Sequence, residues 1–352
     1  MKAFIYSLDD LLKDTTLLLD YFLYLIFNPF KFKKLPKEIK KILVIELLQI
    51  GDLIVAIPTI KALREKYKEA VIDVLILPEM KEVLTGNKDL NKLVLYENNF
   101  KNLVSKIKKE NYDLAVILHP GSFKISLALL MSKVRYRIGC TKSGISYGKG
   151  FFLNKKIKPN FKIQHKIEDN LDVIKPLDIE IRNKSPEIFT TKESEKKVKE
   201  FLNKNKIKKF IVIHPGANYR KKEDEKKEWI LERYAELSDK IIENYSLSVI
   251  FTGGIQDRPL INSIIKLMKN KAYDFSGNTI KDFFSIIKAS SLVISVDTSA
   301  SHIAAAFNKP IIVLFGSRYS NIWYPYTDKR KVISKNTMKE ITINDVMNEV
   351  SL

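Results

Sequence analysis

At 352 residues the chain exceeds one ordinary compact core and predicts two domains of roughly 150 residues each. An apolar fraction of 45% that includes 19 Phe, 15 Tyr and 2 Trp excludes a disordered chain. The 61 Lys and Arg against 41 Asp and Glu give a net charge of +20, which favours an anionic partner without choosing among nucleic acid, an acidic membrane surface and a phosphorylated substrate. Most of that charge is Lys spread over nearly every segment, so plain solvated faces account for it as well, and Lys suits bidentate recognition less than Arg does. A single cysteine, Cys140, excludes an internal disulfide framework and a cysteine-based zinc cluster. His119, His165, His214 and His302 lack any HExxH-like spacing, so no metal and no cofactor is expected.

In residues 1–37, Leu8, Leu11, Leu12, Leu18, Leu19, Phe22, Leu23, Ile26, Phe27 and Phe30 recur at helical spacing, with Asp9, Asp10, Lys13, Asp14, Asp20 and Asn28 on the other face. This predicts an amphipathic helical extension. Charges interrupt the apolar run and no small-residue cleavage site follows, so neither a span nor a secretory signal is expected. The basic, apolar stretch Lys31 to Lys37 suits an interfacial anchor on anionic lipid, although packing against the protein body explains the same pattern. The expected location is the cytoplasm, with peripheral contact at the inner membrane face.

From Lys41 onward, apolar runs rich in Ile, Val and Leu alternate with helical stretches, the pattern of a parallel sheet covered on both faces. The first array predicts strands at 41–46, 71–77, 93–96, 113–118 and 134–138. Between about 150 and 208 the apolar runs thin out around Pro159, Pro176 and Pro186, where the domain linkage is placed. A second array predicts strands near 209–214, 247–252, 272–275, 291–296 and 310–315. The expected architecture is α/β: an N-terminal Rossmann-like domain over 38–180, a C-terminal one over 181–325 facing it across a cleft, and a tail or short helix over 326–352.

Neither GxGxxG nor GxxxxGK[ST] occurs, which removes the usual support for NAD chemistry and P-loop hydrolysis. Four segments stand out instead. Gln49-Ile50-Gly51-Asp52 joins a strand to a helix over Leu53 to Tyr67, with a kink expected at Pro58; Asp52 serves there either as N-cap or as a base taking a proton from an acceptor hydroxyl. His214-Pro215-Gly216-Ala217-Asn218, followed by Lys227-Glu228-Trp229, offers a close backbone approach and a phosphate-neutralising Lys, or is a charged surface loop. Phe251-Thr252-Gly253-Gly254 suits a ligand-facing turn and is weak evidence by itself. Ser295 to His302 breaks a buried strand into hydroxyls, an imidazole and a helix N-terminus fit for a pyrophosphate, where simple N-capping by Thr298 or Ser299 is the plainer account.

Taken in order, Ile50-Gly51-Asp52, His214-Pro215-Gly216-Ala217, Lys227-Glu228-Trp229, Thr252-Gly253-Gly254 and Asp297-Thr298-Ser299-Ala300-Ser301-His302 resemble glycosyltransferase family 9, the ADP-heptose:lipopolysaccharide heptosyltransferases. Phe275-Ser276-Gly277-Asn278-Thr279, Phe315-Gly316-Ser317 and Trp323-Tyr324-Pro325 extend the resemblance, which spans residues 41–325. It implies the GT-B fold and metal-independent, inverting transfer of a sugar from a nucleotide-diphosphate donor, ADP-heptose being favoured, to a lipopolysaccharide-core or other glycolipid acceptor. It also implies that Asp52 is the general base and that Lys227 and the turn Thr298 to His302 hold the donor diphosphate. Asp297 then sits among the donor hydroxyls; His214, Gly216, Ala217, Thr252, Gly253, Gly254, Ser299 and Ala300 complete the donor side, and Gly51 and Glu46 the acceptor side. Two departures stand out: Ser299 replaces the usual glycine, and Glu46 stands where many relatives carry a basic residue. A nucleotide-sugar 2-epimerase of the same fold is the enzymatic alternative, and a basic membrane- or nucleic-acid-binding module the non-enzymatic one. No aromatic-basic interleaving supports a nucleic-acid partner.

Overall fold

A computed structural model of the chain describes residues 35–36, 38–118, 122–140, 152–157, 163–216, 228–316 and 319–351. The N-terminal extension up to residue 34 and the site candidates Ala217 and Lys227 lie outside them. The chain divides into two compact units, one formed by residues up to Lys81 together with Lys88–Lys184, the other by Glu82–Asn87 together with Ser185 onward.

The first unit runs β1 (Lys41–Ile45), α1 (Ile50–Lys66), β2 (Val71–Ile76), then, beyond the short α2 (Lys81–Leu84), β3 (Lys92–Leu95), α3 (Phe100–Glu110), β4 (Leu114–Ile117), α4 (Phe123–Met131), β5 (Tyr136–Cys140), β6 (Lys155–Ile157) and α5 (Lys166–Ile174). Its six strands are parallel in the order β3-β2-β1-β4-β5-β6. The β1 residues Leu43 and Ile45 pack with Leu75, Ala115 and Ile117 from the flanking strands and with Leu103, Ile107, Ala128 and Leu129 from α3 and α4. On the other face lies α1. Leu53 to Ile60 are all buried, so over these two turns the helix is enclosed on every side, while its last residues Glu65 and Lys66 are exposed. It runs through Pro58 without a break, the surrounding burial holding a proline that would end an exposed helix.

The second unit runs α6 (Lys192–Lys204), β7 (Phe210–His214), α7 (Leu231–Tyr245), β8 (Ser248–Phe251), α8 (Arg258–Leu267), β9 (Tyr273–Asp274), α9 (Ile280–Ala289), β10 (Leu292–Val296), α10 (Ser299–Ala306), β11 (Ile311–Phe315), α11 (Ser320–Trp323), β12 (Arg330–Ser334) and α12 (Ile343–Met347). Its parallel order, β12-β11-β10-β7-β8-β9, repeats the first sheet strand for strand. Glu82–Asn87 joins this unit: Lys281 Nζ donates to Thr85 O at 2.8 Å and Phe189 O at 2.7 Å.

The ten strands read from the sequence all form, with ends moved by no more than two residues. Two more are present. β6, Lys-Lys-Ile, lies in the stretch read as linkage, and β12, Arg-Lys-Val-Ile-Ser, in the stretch read as tail. Both are edge strands, and the cations that guard an open edge against pairing also erase the apolar pattern by which strands are recognised. Residues 326–352 are therefore part of the second unit's core, with Ile341, Val346 and Val350 buried against α7.

Candidate active site

In both sheets the order reverses beside the first strand, between β1 and β4 and between β7 and β10. Loops leaving the carboxyl ends of strands at such a point diverge and open a crevice for ligand. Three of the segments singled out in the sequence leave β1, β7 and β10 at those positions.

After β1 the chain passes Glu46 and enters α1. The N-cap is Gln49, so Asp52 is not the cap residue; it stands at the third helical position, where its Oδ2 accepts the Gln49 N–H at 3.4 Å. Asp52 is half-buried and Gly51 beside it likewise. Glu46 is only 3% exposed, and its Oε1 accepts the Leu48 N–H at 3.1 Å. Burial pushes the Glu46 carboxyl well above the usual range, the nearby Asp52 charge adds to the push, and the Leu48 hydrogen bond and Lys166 oppose it. Glu46 is thus a buried carboxyl whose charged form its surroundings disfavour.

In the second unit the turns after β7, β8 and β10 gather at one edge. Ser295 of β10 is in register with His214 of β7. His214 Nδ1 and Thr252 Oγ1 are 3.1 Å apart, and the imidazole stacks on Phe283 with ring centroids 5.1 Å apart. Burial lowers the His214 pKa to about 4, so the ring is neutral at physiological pH. Between these turns lies a residue the sequence reading passed over, Asp257. Its Oδ2 accepts the Gly254 N–H at 2.7 Å, while Oδ1 is buried without a hydrogen-bond partner. A Cβ on Gly216 would stand 2.6 Å from Asp257 Cγ, and one on Gly253 2.6 Å from Asp257 Cβ. The glycines of the two motifs are therefore needed because one carboxylate is clasped between their backbones. An Asp three residues beyond a Gly-Gly pair was the available signal.

At the end of β10, Thr298 is the N-cap of α10, but its side chain does not cap the helix. Its hydroxyl instead lies 3.0 Å from Ser295 Oγ, and Ser301 Oγ donates to Thr298 O at 2.8 Å. The N-capping account of this turn thus fails at Thr298. Ser299 is the first residue of α10 and has an ordinary helical backbone, so replacing the glycine strains nothing. His302 is buried and sits edge-on to Trp323, centroids 5.9 Å apart. Trp229 is structural: its Nε1 donates to Ile341 O at 2.8 Å, tying the entry of α7 to the C-terminal segment. Among the described residues, no group of three His, Cys, Asp or Glu could hold a metal ion.

Two Rossmann-like units with these turns at their switch points have the GT-B fold. The model of glycosyltransferase family 9 (heptosyltransferase) matches residues 100–350, and the chain belongs to that family. It is similar to lipopolysaccharide heptosyltransferase 3 of Escherichia coli K12, at 26% identity over 297 residues that cover 79% of this chain and 83% of the relative. Among solved structures, the family 9 glycosyltransferase of Veillonella parvula superposes with a TM-score of 0.78 at 18% identity, covering 91% of this chain and 97% of that one. The E. coli ADP-heptose lps heptosyltransferase II superposes at 0.73 and 21% identity, covering 88% and 97%.

Proposed function

We propose that the protein transfers heptose from ADP-heptose to a lipopolysaccharide-core or related glycolipid acceptor. The observation that carries the reading is the α10 N-terminus, which opens at a sheet switch point without a side-chain cap from Thr298, beside the glycine turns clasping Asp257. Uncapped N–H groups and the positive end of the helix dipole suit a diphosphate. The activities of the relatives support the donor and acceptor class.

In this reading Asp52 accepts the proton of an acceptor hydroxyl as its oxygen bonds to the anomeric carbon. The bond from that carbon to the diphosphate oxygen breaks, and the electron pair leaves with ADP. Lys227 and the turn Thr298 to His302 stabilise the departing charge, Asp297 holds donor hydroxyls, and the neutral His214 with Thr252 shapes the donor turns. Residues 1–37 make peripheral contact with the inner face of the cytoplasmic membrane; among the described residues no helix is long and apolar enough to cross one.

Calorimetric titration with ADP-heptose, ADP, UDP-sugars and GDP-sugars tests the donor. ADP-heptose should bind tightest, with the loss in His302→Ala about tenfold or more. Asp52→Ala should abolish transfer while leaving donor affinity near normal, and retained turnover would remove Asp52 from the base role. Conversion of the bound donor to its C2 epimer without transfer would point to the epimerase alternative instead.

A further inference from the structure

Between Asp113 and Glu168 the chain has no Asp or Glu and eleven Lys and Arg. The stretch supplies β4, α4, β5 and β6, the side of the first sheet that ends in edge strand β6. Among the described residues, the first unit exposes three large apolar side chains, and all belong to this same stretch: Phe123 at 42%, Met131 at 52% and Ile163 at 71%. Two of them stand on α4. Its inward face, Ile125, Ser126, Ala128 and Leu129, is buried, as a surface helix requires, and its outward face should then be polar. That outward face instead carries Phe123, Leu127, Leu130 and Met131 at helical spacing, with Leu127 and Leu130 partly exposed. Both ends of the stripe are anchored: Phe123 meets Phe152, ring centroids 5.3 Å apart, and Ser132 Oγ donates to Val104 O of α3 at 3.0 Å. Cations frame it, Lys124 on its flank, Lys133 and Arg135 beyond its end, and Lys155 at the start of β6, all exposed. The acids of the adjoining α3 segment are engaged elsewhere: Glu97 with Lys106 at 3.1 Å, Glu110 with Lys92 at 2.6 Å, and Asp113 with the Lys40 N–H at 2.9 Å.

Exposed hydrocarbon costs free energy in water, and a contiguous stripe of it marks a contact surface. The charge around the stripe selects the partner. A second copy of the chain would set one cationic rim against another. A nucleic acid would leave the aliphatic side chains in water, because base stacking needs aromatic rings and α4 offers only Phe123. An anionic bilayer satisfies both features, taking apolar side chains at the acyl boundary and cations at its phosphates. We propose that the outer face of α4 docks the first unit on an anionic phospholipid surface. Phe123, Leu127, Leu130 and Met131 enter the interface, while Lys124, Lys133, Arg135 and Lys155 meet the headgroups. This contact is separate from residues 1–37 and rests on neither the donor nor the acceptor reading.

The test is sedimentation of the full chain with phosphatidylcholine vesicles that do or do not contain phosphatidylglycerol, residues 1–37 being present in every arm. Reversing the rim with Lys124→Glu, Lys133→Glu and Arg135→Glu together should weaken binding to the anionic vesicles about tenfold or more. Lys199→Glu, Lys204→Glu and Lys208→Glu together remove the same charge from exposed positions of the second unit and should leave binding within about threefold. Phe123→Ser with Met131→Ser should also weaken it about tenfold. Should that pair not fold, Met131→Glu carries the same comparison. Insertion is read separately, because the one cysteine, Cys140, is buried and an introduced surface thiol is labelled selectively. An environment-sensitive dye on Met131→Cys should shift to the blue on anionic vesicles, and the same dye on Lys199→Cys should not. Equal losses in the two charge variants with an unshifted dye would assign the attraction to net charge and overturn the proposal, as would unchanged binding in the α4 variants. Self-association or DNA binding that the α4 variants abolish while vesicle binding persists would give the face to another occupant and overturn it too.

Discussion

His214, placed on the donor side by the sequence, takes its charge state from burial. Held 3.1 Å from Thr252 and stacked on Phe283, it is neutral in the folded protein, with a pKa of about 4 against about 6.5 when exposed. A depressed folded pKa contributes stability that is fully present above pH 6.5 and lost as pH falls toward 4, because the unfolded chain takes up the proton first. We expect the wild type to lose on the order of 3 kcal/mol across that window, a loss absent from His214→Gln, in urea midpoints measured from pH 7 to pH 4. Parallel curves for the two proteins would show that the ring is not buried as described. The two acids that flank the first turn were both legible as residues, yet their difference was not: Asp52 is half-buried and Glu46 almost fully enclosed, and only the packing of α1 and α5 around them separates the roles.

For the elements, the glycines of the β7 and β8 turns are positions of close approach rather than of special backbone angle. Neither Gly216 nor Gly253 has a positive φ; each is required because Asp257 fills the space a Cβ would take. Gly216→Ala should push Asp257 out of its hydrogen bond with Gly254, costing about 1–3 kcal/mol of stability, as overpacking does, and weakening ADP-heptose binding about tenfold or more. Thermal melts and calorimetry check the two effects separately. The motif was readable in the chain, but the group that makes it necessary lies in a different loop from Gly216. The edge strands β6 and β12 were unreadable for the opposite reason: both open on cationic residues, and their strand character comes from β5 and β11 offering hydrogen-bond partners.

For the whole molecule, a charge of +20 and the amphipathic pattern of residues 1–37 combine into one expectation. Deleting residues 1–37 should lower binding to phosphatidylserine-containing vesicles about tenfold or more in a sedimentation assay, with donor affinity unchanged. Equal binding by the full and shortened chains would assign the basic charge to solubility alone. The repetition of one six-strand order in both units explains why the same kind of motif, a strand running into a polar turn and a helix, appears after β1, β7 and β10: the reversal of strand order makes those the loops that part.

What the amino-acid order determined by itself was the alternation of apolar runs and helices, the two arrays, and the ordered series of turns, because hydrophobic periodicity and glycine-bearing turns are local properties of the chain. Only the tertiary structure decided that Asp257 lies between two glycine turns, that Thr298 does not cap its helix, that Leu53 to Ile60 of α1 are all buried, and that Glu46 is almost fully enclosed. Each of these depends on groups far apart in sequence entering one low-dielectric volume, where burial and proximity set charge and function, and neither quantity is written in any single stretch of chain.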